Sequence, residues 1–116
     1  MFVKNISEIV DRVTTLVCTE FGVTKREILS DRRQAHLVVP RRIIMYLLRT
    51  IVKLSFPVIG AFLGKDHSTV MSAVKKAEKR MRDDPAYRNC VNALIGKLDP
   101  SEAAALSQST FLGDGI

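Results

Sequence analysis

The sequence predicts an all-α fold, a single helical bundle around one core, and three observations carry that prediction. Apolar residues recur at three- and four-residue intervals over most of the chain. Cap and turn residues separate these runs, at Gly22 to Thr24, at Ser55, at Gly64 to Asp66 and at Asp84-Pro85. No stretch shows the period-two alternation of a half-buried strand, and no internal repeat is present. A length of 116 residues suffices for one core and is short for two. Residues 1–98 are expected to form that single domain, followed by a tail, 99–116, rich in Ala, Ser and Gly and expected to be flexible in part.

The first helix is set by Ile6, Ile9, Val10, Val13, Val17 and Phe21, one buried stripe that Gly22 ends. Thr24 has the chemistry of an N-cap and Glu27, three residues on, can reach back to it, so a short helix through Ile28 and Leu29 follows. Arg32 to His36 read as an exposed basic loop. Pro40 suits the first turn of the next helix, where its missing amide hydrogen costs nothing, and Ile43, Ile44, Leu47, Leu48 and Ile51 carry the core stripe to an end near Lys53. Ser55 caps a short, uncharged helix with Pro57 early in it, then Val58, Ile59 and Phe62, stopped by Gly64. Asp66 caps a longer helix with Val70, Ala73, Val74 and Ala77 inward and Lys75, Lys76, Lys79 and Arg80 outward. Asp84 and Pro85 open a last helix carrying Tyr87, Val91, Leu94 and Leu98.

A hydrophobic fraction of 47% and a charged fraction of 26% belong to a folded chain rather than a disordered one. The two cysteines, Cys18 and Cys90, have no metal-ligand spacing and no secretory leader precedes them, which points to a reducing cytoplasm and two buried thiols. Val38 to Gly64 is the most apolar stretch, and Arg41, Arg42, Arg49 and Lys53 break it below the length of a bilayer span. The net charge of +6 is unevenly spread: −1 over residues 1–24, +6 over 25–53, 0 over 54–64, +4 over 65–82 and −3 over 83–116. A polyanion fits such a middle, although composition alone fits a solvated basic surface equally well.

A short neutral helix, a tight turn with glycine and a second helix polar at its start form a helix-turn-helix pattern. The second helix opens with Lys65, Asp66, His67, Ser68 and Thr69, all capable of hydrogen bonding, which suits base edges in a major groove. A helical hairpin with a glycine turn is also common in proteins that never touch DNA.

Read together, "ILSDRR", "VPRRIIMYLLR" and "SFPVIGAFLGKDHSTVMSAVKK" resemble the C-terminal DNA-binding domain of the bacterial replication initiator DnaA, over roughly Val13 to Ala77. The resemblance implies a Trp-repressor-like helical bundle containing the helix-turn-helix, double-stranded DNA with DnaA-box-like sites as ligand, and no cofactor or metal. It implies that Arg33 enters the minor groove, beside Arg32 in the same loop, and that Asp66, His67, Ser68 and Thr69 contact bases in the major groove next to Lys65. By the same resemblance Pro57 packs on a thymine methyl, Arg41 and Arg42 contact backbone or base edges, and Arg49 and Lys53 lie along the phosphates. The sequence departs from the pattern at four places. The turn is one residue shorter and carries Lys65 for an arginine, Arg42 stands for a glutamine, Ser68 for a threonine, and Val39 for the arginine that often precedes the proline.

His36 lacks a partner at ligand spacing and reads as a solvent or phosphate contact. The run Lys75, Lys76, Lys79, Arg80 and Arg82 fits a solvated helix face as well as a phosphate track. Three function classes follow. The first is a DNA-binding module that modulates replication initiation or transcription, working in the cytoplasm at the nucleoid. The second is a protein-interaction module that contacts the initiator or another protein, favoured by the acidic segment from Asp83 to Ile116. An enzyme ranks far behind, since no catalytic constellation and no GxxxxGK[ST] loop is present. Membrane association is not expected.

Overall fold

The computed structural model describes residues 5–98, and the tail expected over 99–116 lies outside the described residues. Six helices follow one another: α1 (Ile6–Phe21), α2 (Lys25–Leu29), α3 (Ala35–Thr50), α4 (Phe56–Leu63), α5 (His67–Asp83) and α6 (Pro85–Gly96). No strand occurs among the described residues, and none of these helices is long and apolar enough to cross a membrane.

Several boundaries have a local cause. The Asn5 side chain accepts from the Glu8 amide while Glu8 reaches back to the Asn5 amide, a capping box that starts α1. Gly22, at φ 66°, ends it in the left-handed region that favours glycine. Thr24 and Glu27 form the expected second box. The amide hydrogen bond from Thr24 holds the Glu27 carboxyl below its ordinary pKa. Asp84 does the same for α6, accepting from the Tyr87 amide at 3.1 Å.

α3 departs from expectation at both ends. It begins at Ala35, so His36 is in its first turn rather than in the loop, and Pro40 is the sixth helical residue rather than part of the first turn. The bond lost at Pro40 is the one to the carbonyl of His36, an exposed residue that water can satisfy. Leu37 extends the core stripe of Pro40, Ile44 and Leu48 backward by a turn and is fully buried, and that burial outweighs the missing bond. At the far end α3 stops at Thr50, and Lys53 stands in the following turn at φ 66°.

α3 is the central element, packing against α1, α2, α4 and α5, and contributes Leu37, Ile43, Ile44, Met45, Leu47 and Leu48 to the core. Ile51, expected in that stripe, is only half-buried at the helix end. α1 adds Val13 and Val17, α4 adds Ile59 and Leu63, α5 adds Val70 and Val74, and α6 adds Tyr87, Val91 and Leu94. Cys18 is buried, and burial pushes its thiol pKa up; Cys90, expected to be buried as well, is half-buried.

Candidate nucleic-acid interface

α4 and α5 are joined by a turn whose geometry depends on two glycines. Gly64 takes φ 68°, and the amides of Gly64 and Lys65 both return to the Gly60 carbonyl. Gly60 itself is helical and buried, and a Cβ there would come within 3.0 Å of the Lys65 carbonyl oxygen. The backbone of the turn therefore lies directly on the last turns of α4, and α5 is launched from that contact. Asp66 occupies the N-cap position of α5, but its side chain makes no capping hydrogen bond, contrary to the expectation that it caps by that bond. Its carboxylate is exposed at the helix start, followed by the exposed His67, Ser68 and Thr69.

The basic loop between α2 and α3 is tied down by Arg41. Its guanidinium donates to the carbonyls of Ile28 (2.8 Å), Glu27 (2.8 Å), Ser30 (2.8 Å) and Arg32, and to Ser30 Oγ at 3.2 Å. These carbonyls lie in the last turn of α2 and in the loop just beyond it, so Arg41 acts as a C-terminal cap supplied from α3. Burial lowers its pKa, and Asp31 opposes that shift. A guanidinium so engaged spends its donors on the protein's own carbonyls.

Lys65 is turned inward too. Its ammonium, with a side chain only 15% exposed, donates to the Ser30 carbonyl at 2.9 Å and lies 3.6 Å from Asp31. The Ser30 carbonyl thus accepts from Arg41 and Lys65 together, joining the basic loop to the turn between α4 and α5. The consequence is a shared hollow of about 510 Å³ whose walls include Arg33 from the loop, Arg42 from α3, and Asp66 and Thr69 from α5. A second hollow beside it is lined by Arg42, Ser68 and Thr69 together with residues further along α5. Arg33, Arg42, Asp66, Ser68 and Thr69 are therefore brought to one face, with His67 exposed between Asp66 and Ser68.

The remaining sequence-predicted residues gather elsewhere. Arg49 donates to the Leu54 carbonyl at 3.2 Å and lies 4.3 Å over the Phe56 ring, so it braces the start of α4 where Ser55 caps and Pro57 is exposed. Lys53 is exposed in the same turn. Arg32 is exposed in the loop, where its amide, not its side chain, bonds Ser30 Oγ at 3.3 Å. Arg32, Arg33, Arg42 and Lys53 have side chains in no hydrogen bond or ion pair among the described residues, whereas Lys79 pairs with Asp83, and Arg80 pairs with Asp84 and lies over Tyr87. No group of three or more His, Cys, Asp and Glu that could hold a metal ion occurs among the described residues. The sequence reading missed the Asn5–Glu8 box, whose N-x-x-E spacing is a visible signal, and Gly60, whose helix cost was a signal that something sits against it.

A short neutral helix, a glycine turn and a second helix that offers its polar start beside a fixed basic loop define a helix-turn-helix domain of the all-α class. Residues 10–77 match the family model described as the bacterial dnaA protein helix-turn-helix, and the chain belongs to that family. It is 38% identical over 92 residues to the chromosomal replication initiator protein DnaA of Lachnoclostridium phytofermentans, covering 78% of this chain and 20% of that one. The DnaA of Geobacter sp. strain M21 is 41% identical over 90 residues (77% and 20%), and that of Deinococcus radiodurans 40% over 86 residues (74% and 18%). The chain thus spans about a fifth of the length of these curated relatives. The resemblance read from the motifs and the all-α expectation both hold.

Proposed function

We propose that this domain binds double-stranded DNA in a sequence-dependent way, at boxes like those bound by DnaA, and so acts on replication initiation or on transcription near such sites. The start of α5 enters the major groove, where Asp66 accepts from a base amino group and His67, Ser68 and Thr69 reach neighbouring edges. Arg33 enters the adjacent minor groove, Pro57 meets a thymine methyl, and Arg32, Arg42 and Lys53 lie at phosphates. Arg41 and Lys65 are positioning residues that hold the loop and the turn at a fixed separation. Such a ligand places the protein in the cytoplasm, at the nucleoid, and no catalytic step belongs to this reading.

The observation that supports it most is the shared hollow, with Arg33 on one wall and Asp66 and Thr69 on another, held in register through the Ser30 carbonyl. Two grooves of one duplex need two probes at a set distance, and a flexible loop would not supply that. Fluorescence anisotropy with a DnaA-box duplex and a scrambled duplex at two salt concentrations tests it. Preference for the box, with affinity falling steeply as salt rises, is expected. Equal and negligible binding to both duplexes overturns it.

One observation favours a second reading, contact with the initiator or another protein. Val58 and Phe62, four residues apart on uncharged α4, are each 36% exposed. Capture of a full-length initiator by a wild type that binds neither duplex would favour it.

A further inference from the structure

We propose that the flank of α5 carries a clamp for a single DNA-backbone phosphate, built by Arg42 of α3 with Ser72 and Lys76 of α5, and that this clamp sets how far the helix start seats in the groove. The inference rests on the DNA-binding reading above and extends it to Ser72 and Lys76. Four observations support it. The hollow is about 320 Å³, and its lining is Arg42, Ser68, Thr69, Ser72, Ala73 and Lys76. Its hydrogen-bonding side chains are therefore cations and hydroxyls, with no carboxylate, whereas the larger hollow next to it includes Asp31 and Asp66. Ser68, Ser72 and Lys76 follow at four-residue spacing, which stacks them along one side of the helix, and Ala73 contributes only a methyl group, leaving the space open. None of the Arg42, Ser68, Ser72 and Lys76 side chains makes a hydrogen bond or ion pair among the described residues, while Lys79, one turn on, is paired with Asp83.

Two cations bordering one hollow that no carboxylate lines form a site that a bound anion stabilises. A guanidinium, an ammonium and hydroxyl donors together match the non-bridging oxygens of a phosphodiester. Position selects backbone over base. Lys76 is nine residues beyond His67, about 13 Å along the axis at 1.5 Å per residue, comparable to the ~12 Å width of the major groove. A helix that points its start at base edges meets the sugar-phosphate wall at that distance. Lys75 carries the same charge and is exposed, yet it does not line the hollow, so clamp and general attraction can be told apart.

Lys76→Ala, Ser72→Ala and Lys75→Ala are compared in the full chain, with circular dichroism confirming that each surface variant stays folded. Lys76→Ala is expected to weaken box and scrambled duplexes by the same factor, about ten-fold, and to reduce the salt slope by about 0.9; Lys75→Ala is expected to change affinity less than about two-fold. A methylphosphonate scan of the box duplex is expected to find one position whose neutralisation weakens the wild type but not Lys76→Ala. Equal losses in Lys75→Ala and Lys76→Ala, or no such position, overturn the clamp. Inorganic phosphate titrated into the protein alone distinguishes a free-anion site: saturable shifts of the Ser72 and Lys76 amides at micromolar phosphate would assign the hollow to a free anion and overturn the DNA assignment. A wild type that binds neither duplex removes the DNA-binding reading and the clamp together, and is recognised because every variant is then equally silent.

Discussion

Adding one methyl group at Gly60 tests how the turn between α4 and α5 is built. Two effects of opposite sign compete. Alanine in place of a helical glycine is favourable by about 0.8–1.0 kcal/mol from propensity alone. Against it, the new Cβ falls well inside 3.0 Å of the Lys65 carbonyl oxygen, whereas ordinary contact begins at 3.4 Å, so the turn has to retreat by about an ångström. The neighbour is backbone rather than the free end of a side chain, and that backbone is held by the Lys65 amide on the Gly60 carbonyl at 2.9 Å. Overpacking of this kind costs about 1–3 kcal/mol, and a weakened amide bond adds about 1 kcal/mol. The net expectation for Gly60→Ala is a loss of about 1–3 kcal/mol, or roughly 4–8 °C in Tm for each kcal/mol in a domain of this size. Because the retreat pulls Lys65 from the Ser30 carbonyl, box affinity should fall even where the variant is fully folded. Urea unfolding followed by circular dichroism, with anisotropy below the transition, reads both. A variant more stable than wild type with unchanged box affinity would refute the tight-turn account.

The Thr14 hydroxyl is buried without a hydrogen-bond partner, so Thr14→Val, which keeps the shape and removes the orphan, should raise stability by about 1 kcal/mol, and an unchanged or lower urea midpoint would count against it. Glu27 and Asp84 have pKa values lowered chiefly by the backbone amides of Thr24 and Tyr87, so their caps contribute fully above the ordinary carboxylate range of about pH 4 and fade as pH falls through the lowered values. Unfolding midpoints should therefore drop as pH is taken from 5 to about 2.5. Glu27→Gln and Asp84→Asn should each flatten that drop, and a pH profile identical to wild type in both would discount the caps. Arg33→Ala and His67→Ala should narrow the preference for box over scrambled duplex at a cost of about 1–3 kcal/mol on the box, whereas Lys53→Ala should weaken both duplexes alike. Competition titrations distinguish the two patterns.

The helices and caps were legible because they are written locally. Thr24-x-x-Glu27, Ser55 with Pro57, Gly64 and Asp84-Pro85 each act within four residues, and the structure places them as the spacing implied. The start of α3 was misplaced because Pro40 carries a strong local rule while the burial of Leu37 that overrides it depends on tertiary packing. Which polar residues face one another was the least legible feature. Arg41 and Arg42 are adjacent and chemically alike, yet Arg41, at the wall of the larger hollow, caps α2, while Arg42 borders both hollows with no hydrogen bond among the described residues. That separation follows from helical rotation of about 100° per residue about α3, and from the carbonyls α2 happens to present. Lys65 likewise bonds a residue 35 positions away, a distance over which sequence spacing carries no information. The family resemblance named residues that the structure gathers on one face, but it did not separate side chains open to solvent from those bonded to the protein's own carbonyls.

That separation changes the electrostatics expected of binding. Taken from the sequence, the candidate cations are Arg32, Arg33, Arg41, Arg42, Arg49, Lys53 and Lys65, and about five phosphate contacts among them imply a log–log salt slope of about −4 to −5. Three of them are engaged with the protein's own groups. Arg41 bonds the carbonyls around the end of α2, Lys65 bonds Ser30 near Asp31, and Arg49 is engaged with Leu54 and Phe56. Arg32, Arg33, Arg42 and Lys53 remain, and Lys76 joins them through the hollow it shares with Arg42. Because Arg42 and Lys76 share one phosphate, these five cations neutralise about four phosphates, and at about 0.9 each the slope is about −3 to −4. The net charge of +6 does not enter this slope, since cations such as Lys79 and Arg80 are paired at the other end of α5. A measured slope near −6 would mean that the inward cations leave their carbonyl partners on binding, and the fixed separation between loop and turn would then be lost. A slope shallower than −3 would mean that the loop or the α5 flank does not touch the backbone at all.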